Sequence, residues 1–194
     1  IYRQKGYTLI NILGLSVGIL VGLLIILYGI NELSFDRFYT NSDRIYRIYV
    51  HSDINGSVSN NSKTPGPLGP ALKRDFPEIE TFTRIGYFGK RLLQYKNNSH
   101  REYSIYFVDS TFFDVFDLEF VAGNKNTALN IPNTMVLSES TAKKYFGNEN
   151  PIGKVLRVDG EQESFNITGV IKDFPQNSHF RCNILASNIS YPIV

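Results

Sequence analysis

The sequence predicts an α+β domain carried behind one membrane-spanning helix, and three observations predict it. Gly6 to Ile30 is a run of 25 residues without a charged side chain, mostly Leu, Ile, Val and Gly. Beyond Glu32, short β-type runs and short capped helices intermix without the regular strand–helix alternation of a doubly wound sheet. Turn signals such as Asn55-Gly56, Pro65-Gly66 and Asp159-Gly160 separate these runs at short intervals.

The apolar run is long enough to span a bilayer. A hydrocarbon core of ~30 Å needs ~20 helical residues at about 1.5 Å each. The backbone must be helical there, because lipid offers no partners for free N–H and C=O groups. A secretory signal peptide is the rival, but its apolar core runs only about 7–15 residues and ends at a small-residue cleavage site. Here the run is longer and leads into Tyr28-Gly29-Ile30-Asn31-Glu32-Leu33, with no such site. Arg3 and Lys5 flank one end, while Arg37, Arg44 and Arg47 follow the other, so the positive-inside count does not orient the helix by itself. Because a long following domain can be translocated whatever its charge, Arg3 and Lys5 are placed in the cytoplasm. Gly14, Gly18 and Gly22 fall at i, i+4 and i+8 on one narrow face, which predicts a surface where a second helix packs closely. The first residue is Ile1, not Met, which leads to the expectation that the natural N-terminus lies upstream.

The expected organisation is therefore a transmembrane helix and its extramembrane extension over residues 1–42, then an extracytoplasmic domain over 43–194. Leu33 to Tyr39 contains neither Pro nor Gly and is expected to prolong the helix. Ile45 to Val50 reads as a strand and residues 51–66 as a polar loop. Pro67 opens a short helix through Asp75, which Pro77 ends. Strands are expected at 81–88, 91–95 and 101–108. Ser110 is placed as the cap of a short helix whose inner face carries Phe112, Phe113 and Phe116. Thr134 to Leu137 reads as a strand, and Ser138 caps a helix that stops at Gly147 after Lys143 and Lys144. Lys154–Val158 and Ser164–Ile171 form a hairpin around Asp159-Gly160.

Composition narrows the function. From Glu32 onward 18 basic residues face 18 acidic ones, so there is no basic footprint for nucleic acid. Cys182 is the only cysteine, which leaves no internal disulfide and no thiolate metal site. His51, His100 and His179 lie far apart, without metal-ligand spacing. Gly14-Leu15-Ser16-Val17-Gly18 matches the letters of a hydrolase nucleophile elbow, but that motif needs a strand–turn–helix in a watery site, not the centre of a membrane helix. Gly147 to Gly153-Lys154 misses the phosphate-loop spacing by one residue, and Val155 stands where Ser or Thr is required. Asp109, Asp114, Asp117 and Glu119 read as the solvated face of an amphipathic helix. The sequence thus predicts no catalytic residue, no cofactor and no metal.

Several stretches, in order, resemble the MacB/FtsX-like ABC transporter permeases that carry a MacB-like periplasmic core domain. They are Tyr7-Thr8-Leu9-Ile10-Asn11-Ile12-Leu13-Gly14-Leu15; Glu32-Leu33-Ser34-Phe35-Asp36-Arg37-Phe38 with Asp43-Arg44-Ile45-Tyr46-Arg47; and Gly69-Pro70-Ala71-Leu72-Lys73 with Phe76-Pro77-Glu78-Ile79-Glu80. Val108-Asp109-Ser110-Thr111-Phe112-Phe113-Asp114-Val115-Phe116 is another. The most specific are Val136-Leu137-Ser138-Glu139 with Tyr145-Phe146-Gly147 and Asn150-Pro151-Ile152-Gly153-Lys154, and Gly169-Val170-Ile171-Lys172-Asp173-Phe174-Pro175 with Asn177-Ser178-His179-Phe180. Tyr39, where many relatives have histidine, and Arg181-Cys182-Asn183 depart from the pattern.

The resemblance implies a permease without chemistry of its own, multi-pass in full length in the cell inner (cytoplasmic) membrane. It implies partnership with a cytoplasmic ABC ATPase subunit, a homodimer or pseudo-dimer of permease halves, and a role in export, efflux or mechanotransmission. It also implies that the family continues past this chain with the rest of the domain and further membrane helices. On that basis the first strands are expected to expose Ile45, Ile48, Phe82 or Leu92. The alternative from a different class is a single-pass, membrane-anchored ligand-binding or sensor domain.

Overall fold

A computed structural model describes residues 5–160 and 163–190. Two units make it up: residues up to Phe38 with Gln176–His179, and the remainder of the chain.

The first unit is dominated by helix α1, Lys5–Leu33. Its Leu, Ile and Val side chains are exposed all round, Ile10 and Ile25 by more than 60%. A helix whose apolar side chains are exposed on every side is suited to lipid, not to a core. The helix stops at Leu33, not at Tyr39. The last turn tightens through the Ser34 N–H to the Asn31 carbonyl, 3.1 Å, and Asp36 then adopts φ +55°. A left-handed residue cannot continue a right-handed helix, and Asp is among the few side chains that tolerate it. The missing Pro and Gly misled the expectation, because a helix can also be stopped by an aspartate.

The second unit is a mixed sheet with short helices. Its strands are β1 (Val50–Ile54), β2 (Ser57–Asn61), β3 (Ile85–Tyr87), β4 (Arg91–Tyr95), β5 (Asn98–Glu102), β6 (Ile105–Val108), β7 (Phe120–Gly123), β8 (Thr134–Ser138), β9 (Val155–Val158), β10 (Glu163–Ile171) and β11 (Ile184–Ser187). The helices are α2 (Leu68–Asp75), α3 (Phe112–Val115) and α4 (Glu139–Phe146). Among the described residues, nine strands form one sheet in the order β3-β6-β11-β8-β10-β9-β4-β5, with β7 also paired to β10. β8 runs parallel to β10 and β6 parallel to β11; the other pairs are antiparallel.

The central strands are buried on both faces, as their unbroken apolar runs require. Met135, Leu137, Ile105, Phe107, Ile184 and Ala186 face one core with Ala142, Tyr145 and Phe146 of α4. Val136, Val108 and Leu185 face a second with Phe112 and Phe113 of α3, Leu129 and Cys182. Strict alternation between the two lists is the period-2 geometry of a strand. Ser138 caps α4 by accepting the Thr141 N–H, and Gly147 closes it at φ +59°. Asp159 and Gly160, both at positive φ, carry the turn between β9 and β10, which pair antiparallel. Gly123 is held at φ +89°, where a β-carbon would meet the Thr168 carbonyl of β10.

Several expected boundaries move. Of the strand expected at Ile45–Val50 only Val50 lies in a ladder; Ile45–Tyr49 is outside any strand, with Ile48 47% exposed. Residues 51–66 are not simply loop: β1 and β2 form a hairpin around Asn55 (φ +53°) and Gly56 (φ +80°). The span 81–88 shrinks to Ile85–Tyr87, and 101–108 is two strands that break at Tyr103-Ser104. Thr111, not Ser110, stands at the N-cap of α3, and its side chain makes no capping bond.

Candidate functional site

Two places position chemistry-bearing side chains: the helix with its terminus, and the polar pairs of the sheet unit.

On α1, positions for a β-carbon at Gly14, Gly18 and Gly22 have no neighbouring atom within 4 Å. Ser16 between them donates to the Ile12 carbonyl at 2.7 Å. Its hydroxyl is folded onto its own helix, as serine commonly is in an apolar helix, and not onto a nucleophile elbow.

At the end of α1 lies a clasp between residues some 140 positions apart in sequence. The Asn177 side-chain amide donates to the Ser34 carbonyl at 2.9 Å and is 3.2 Å from the Ser34 hydroxyl. The same carbonyl, one residue past the helix, also accepts the Arg37 N–H at 3.4 Å. The Asp36 N–H donates to the Asn177 carbonyl at 3.0 Å. The Asp36 carboxylate accepts from the Ser178 hydroxyl at 3.1 Å, from the His179 N–H at 3.1 Å and from His179 Nδ1 at 2.8 Å. Phe35 packs against the His179 ring, centroids 4.7 Å apart. The left-handed turn at Asp36 aims both its N–H and its carboxylate at the same three residues.

In the sheet unit Asp114, Asp117 and Glu119 are exposed, as a solvated acidic face requires, but Asp109 is turned inward. Asp109 is largely buried and pairs with Arg84, whose Nη2 lies 2.8 Å and Nε 3.0 Å from its oxygens. It also accepts from the Arg84 N–H at 2.8 Å and from Asn188 at 2.8 Å. Burial acts to push this carboxyl up, but the hydrogen bonds from Arg84 and Asn188 outweigh it and hold it below the usual carboxylate range. Asp117 accepts from the Thr40 N–H at 3.1 Å, and Glu119 pairs with Lys172 at 2.7 Å. Four-residue α3 carries only Asp114 of the four acids; Asp109, Asp117 and Glu119 make separate tertiary ties. Glu102, also buried, accepts from Lys144 and from the Tyr145 hydroxyl, both at 2.7 Å. Burial and that carboxylate push the Tyr145 hydroxyl well up.

A cleft of roughly 470 Å³ opens beside Gln94, Tyr95, Lys96, Lys154 and Arg157. Lys96 and Lys154 both pair with Glu149, so these lysines are already matched by a carboxylate. Cys182 is buried, and burial pushes its thiol up, the environment of an inert, not reactive, cysteine. Among the described residues no three His, Cys, Asp or Glu side chains gather as a metal cluster. His179 is committed to Asp36, while His100 packs edge-on to Tyr145. The side-chain bonds described for Asp36, Asp109, Glu102 and Glu149 fix and join segments.

The clasp residues were within two of the quoted sequence blocks, Glu32–Phe38 and Asn177–Phe180, yet nothing in either block indicated the other. The available signal was polar: Asp36 among aromatics, and Asn-Ser-His directly after Pro175.

A family model for the MacB-like periplasmic core domain matches residues 8–191. The chain belongs to this family. Among solved structures it is similar to a domain from Porphyromonas gingivalis assigned to a permease protein, at 28% identity and TM-score 0.62, over 70% of this chain and 56% of that one. It also matches the periplasmic region of MacB from Actinobacillus actinomycetemcomitans at 24% identity and TM-score 0.44, over 58% of this chain and 50% of that one. A third match is the extracellular domain of the noncanonic ABC-type transporter YknZ from Gram-positive bacteria, at 16% identity and TM-score 0.44, over 64% of each chain. The chain thus spans between half and two thirds of the length of these structures. No curated protein sequence matches it.

Proposed function

We propose that this chain is the first membrane helix and part of the external domain of an ABC transporter permease, which couples ATP hydrolysis in a cytoplasmic partner to movement of that domain. One observation carries the reading: a membrane-length helix, apolar on all sides, enters a MacB-like periplasmic core domain in the same chain. On this reading residues 43–194 face away from the cytoplasm, and the full-length protein is multi-pass in the inner membrane. The side chains around the sheet support it by what they are used for, since its buried acids serve as structural ties. The work of such a protein is then displacement: export, efflux or the transmission of force.

The Gly14, Gly18, Gly22 face is the proposed contact with a second helix, from a second copy or another permease half. The open space at all three positions lets a neighbouring backbone come close, where dispersion is effective. The test is affinity purification of the full-length protein from membranes in which its neighbouring ATPase is co-expressed. The ATPase is expected to co-purify, and Gly18→Leu is expected to weaken association of tagged and untagged permease copies. A full reading frame with a single apolar span and no retained ATPase would instead establish the membrane-anchored sensor.

A further inference from the structure

The chain passes between its two units at three peptide links: 38–39, 175–176 and 179–180. The first leads straight to Tyr39, buried against the Phe116 ring, and to Thr40, whose N–H donates to Asp117, both in the connection after α3. The other two lead to β10 and β11, which lie in the middle of the sheet and are buried over most of their length. A helix joined only through the first link would act on this connection after α3 and on none of the central strands.

The clasp adds a route to the central strands. Residues Ser34 and Asp36, directly after α1, are bonded to Asn177, Ser178 and His179 through both backbone and side chains. Any displacement of the helix end is then shared with Gln176–His179, and through two peptide links with the ends of β10 and β11. Those ends are themselves short of slack. Only three residues, Phe180 to Cys182, separate His179 from Asn183, whose N–H donates to Ser104 and whose carbonyl accepts from Ser138. On the other side Lys172 donates to the Glu119 carbonyl at 2.9 Å. The clasp is built for rigidity at low entropic cost: the turn at Asp36 is local, backbone groups of Ser34, Asp36, Asn177 and His179 take part, and the side chains of Asp36, Asn177 and Ser178 are short.

We propose that the Asp36–Asn177–Ser178–His179 clasp is the device that passes movement of the membrane helix into the central strands β10 and β11. This rests on the permease reading above, and Asp36 and Asn177 are positioning residues within it.

Asp36→Gly is the sharpest variant, because it deletes the carboxylate while glycine accepts φ +55° without strain. Asn177→Ala deletes the bonds to Ser34 and leaves the Asp36 carboxylate in place. The experiment is hydrogen exchange by mass spectrometry on the full-length permease with its ATPase in nanodiscs, comparing the nucleotide-free state with Mg-ATP plus orthovanadate. In the wild type, nucleotide is expected to change exchange both near residues 30–36 and in 172–183. In Asp36→Gly, and in Asn177→Ala as the check on folding, the change near 30–36 should persist while that in 172–183 is lost. A variant that keeps the 172–183 response overturns the clasp and leaves the permease reading intact. A wild type that shows no nucleotide response in residues 30–36 overturns the permease reading, and the clasp's role with it.

Discussion

Helix α1 and strands β8 and β11 are built from the same apolar side chains and meet opposite fates. In α1 the leucines and isoleucines stand more than half exposed. In β8 and β11 every side chain is buried, and Leu137, Ile184 and Leu185 expose nothing. Apolar content alone does not say where a segment lives; periodicity and length do. A strand of five residues can turn alternate side chains to two separate cores. A 29-residue helix apolar on every side has no single face to bury in its own chain, and its natural solvent is hydrocarbon. Removing a methylene from the first kind of segment leaves a hole, whereas removing it from the second leaves only a slightly different surface to lipid.

The largest expected effect follows directly. Leu137→Ala should destabilise the sheet unit by about 3 kcal/mol, since transfer and cavity terms add at a fully buried site. Leu20→Ala, the same chemical change in α1, should leave the unfolding of the sheet unit within about 0.5 kcal/mol of wild type. Urea titrations of the detergent-solubilised chain, read by near-UV dichroism, compare the two. Equal losses would mean that α1 packs against something other than lipid or detergent.

The second effect moves the comparison from apolar to polar burial. Asp109→Ala strands Arg84 and Asn188 and is expected to cost about 3 kcal/mol at neutral pH. The sign with pH follows from the lowered carboxyl. A depressed folded value means that the tie stabilises fully above the ordinary carboxylate value of 3.8 and is lost as pH falls through the lower folded value. The gap between wild type and variant should therefore be constant from pH 8 to about 5 and shrink as pH falls below about 4. A gap that widens with acid would contradict the assignment.

How much of this was legible in the sequence depends on which force shaped each part. α1, α2, β4, β8, α4 and the β9–β10 turn follow local rules: a long apolar run, a proline stop, a serine cap and an Asp-Gly turn. β11 escaped because Ile184–Ser187 is short, and its partners β6 and β8 lie about 80 and 50 residues away in sequence. β7 escaped likewise, with Phe120–Gly123 recruited only by β10. Ile45–Tyr49 has strand-forming residues and lies in no ladder, which shows that propensity is a statement about a neighbour that has to be present. Asp109 departs from the expected solvated face because its carboxylate answers to Arg84 and Asn188, both distant in sequence. The clasp at Asp36 was invisible for the same reason.

The smallest effect concerns the hairpin β1–β2, the reverse of β8 and β11 in every respect. Val50, Ile54 and Val58 are its only apolar residues and β2 is exposed throughout, so neither strand could be read from an apolar alternation. It pairs with no third strand among the described residues, and a lone two-stranded ribbon is marginally stable in water. Asn55-Gly56 at positive φ therefore contributes much of what holds it. Gly56→Ala places a β-carbon at φ +80°, a local cost of about 1 kcal/mol. The expected result is faster amide exchange across residues 50–61, with no change in the global melting of the sheet unit. In the wild type these amides should already exchange far faster than those of 134–138. A global loss of stability from Gly56→Ala, or equal protection of the two segments, would show that the hairpin is part of the folded core and not a ribbon held by its turn.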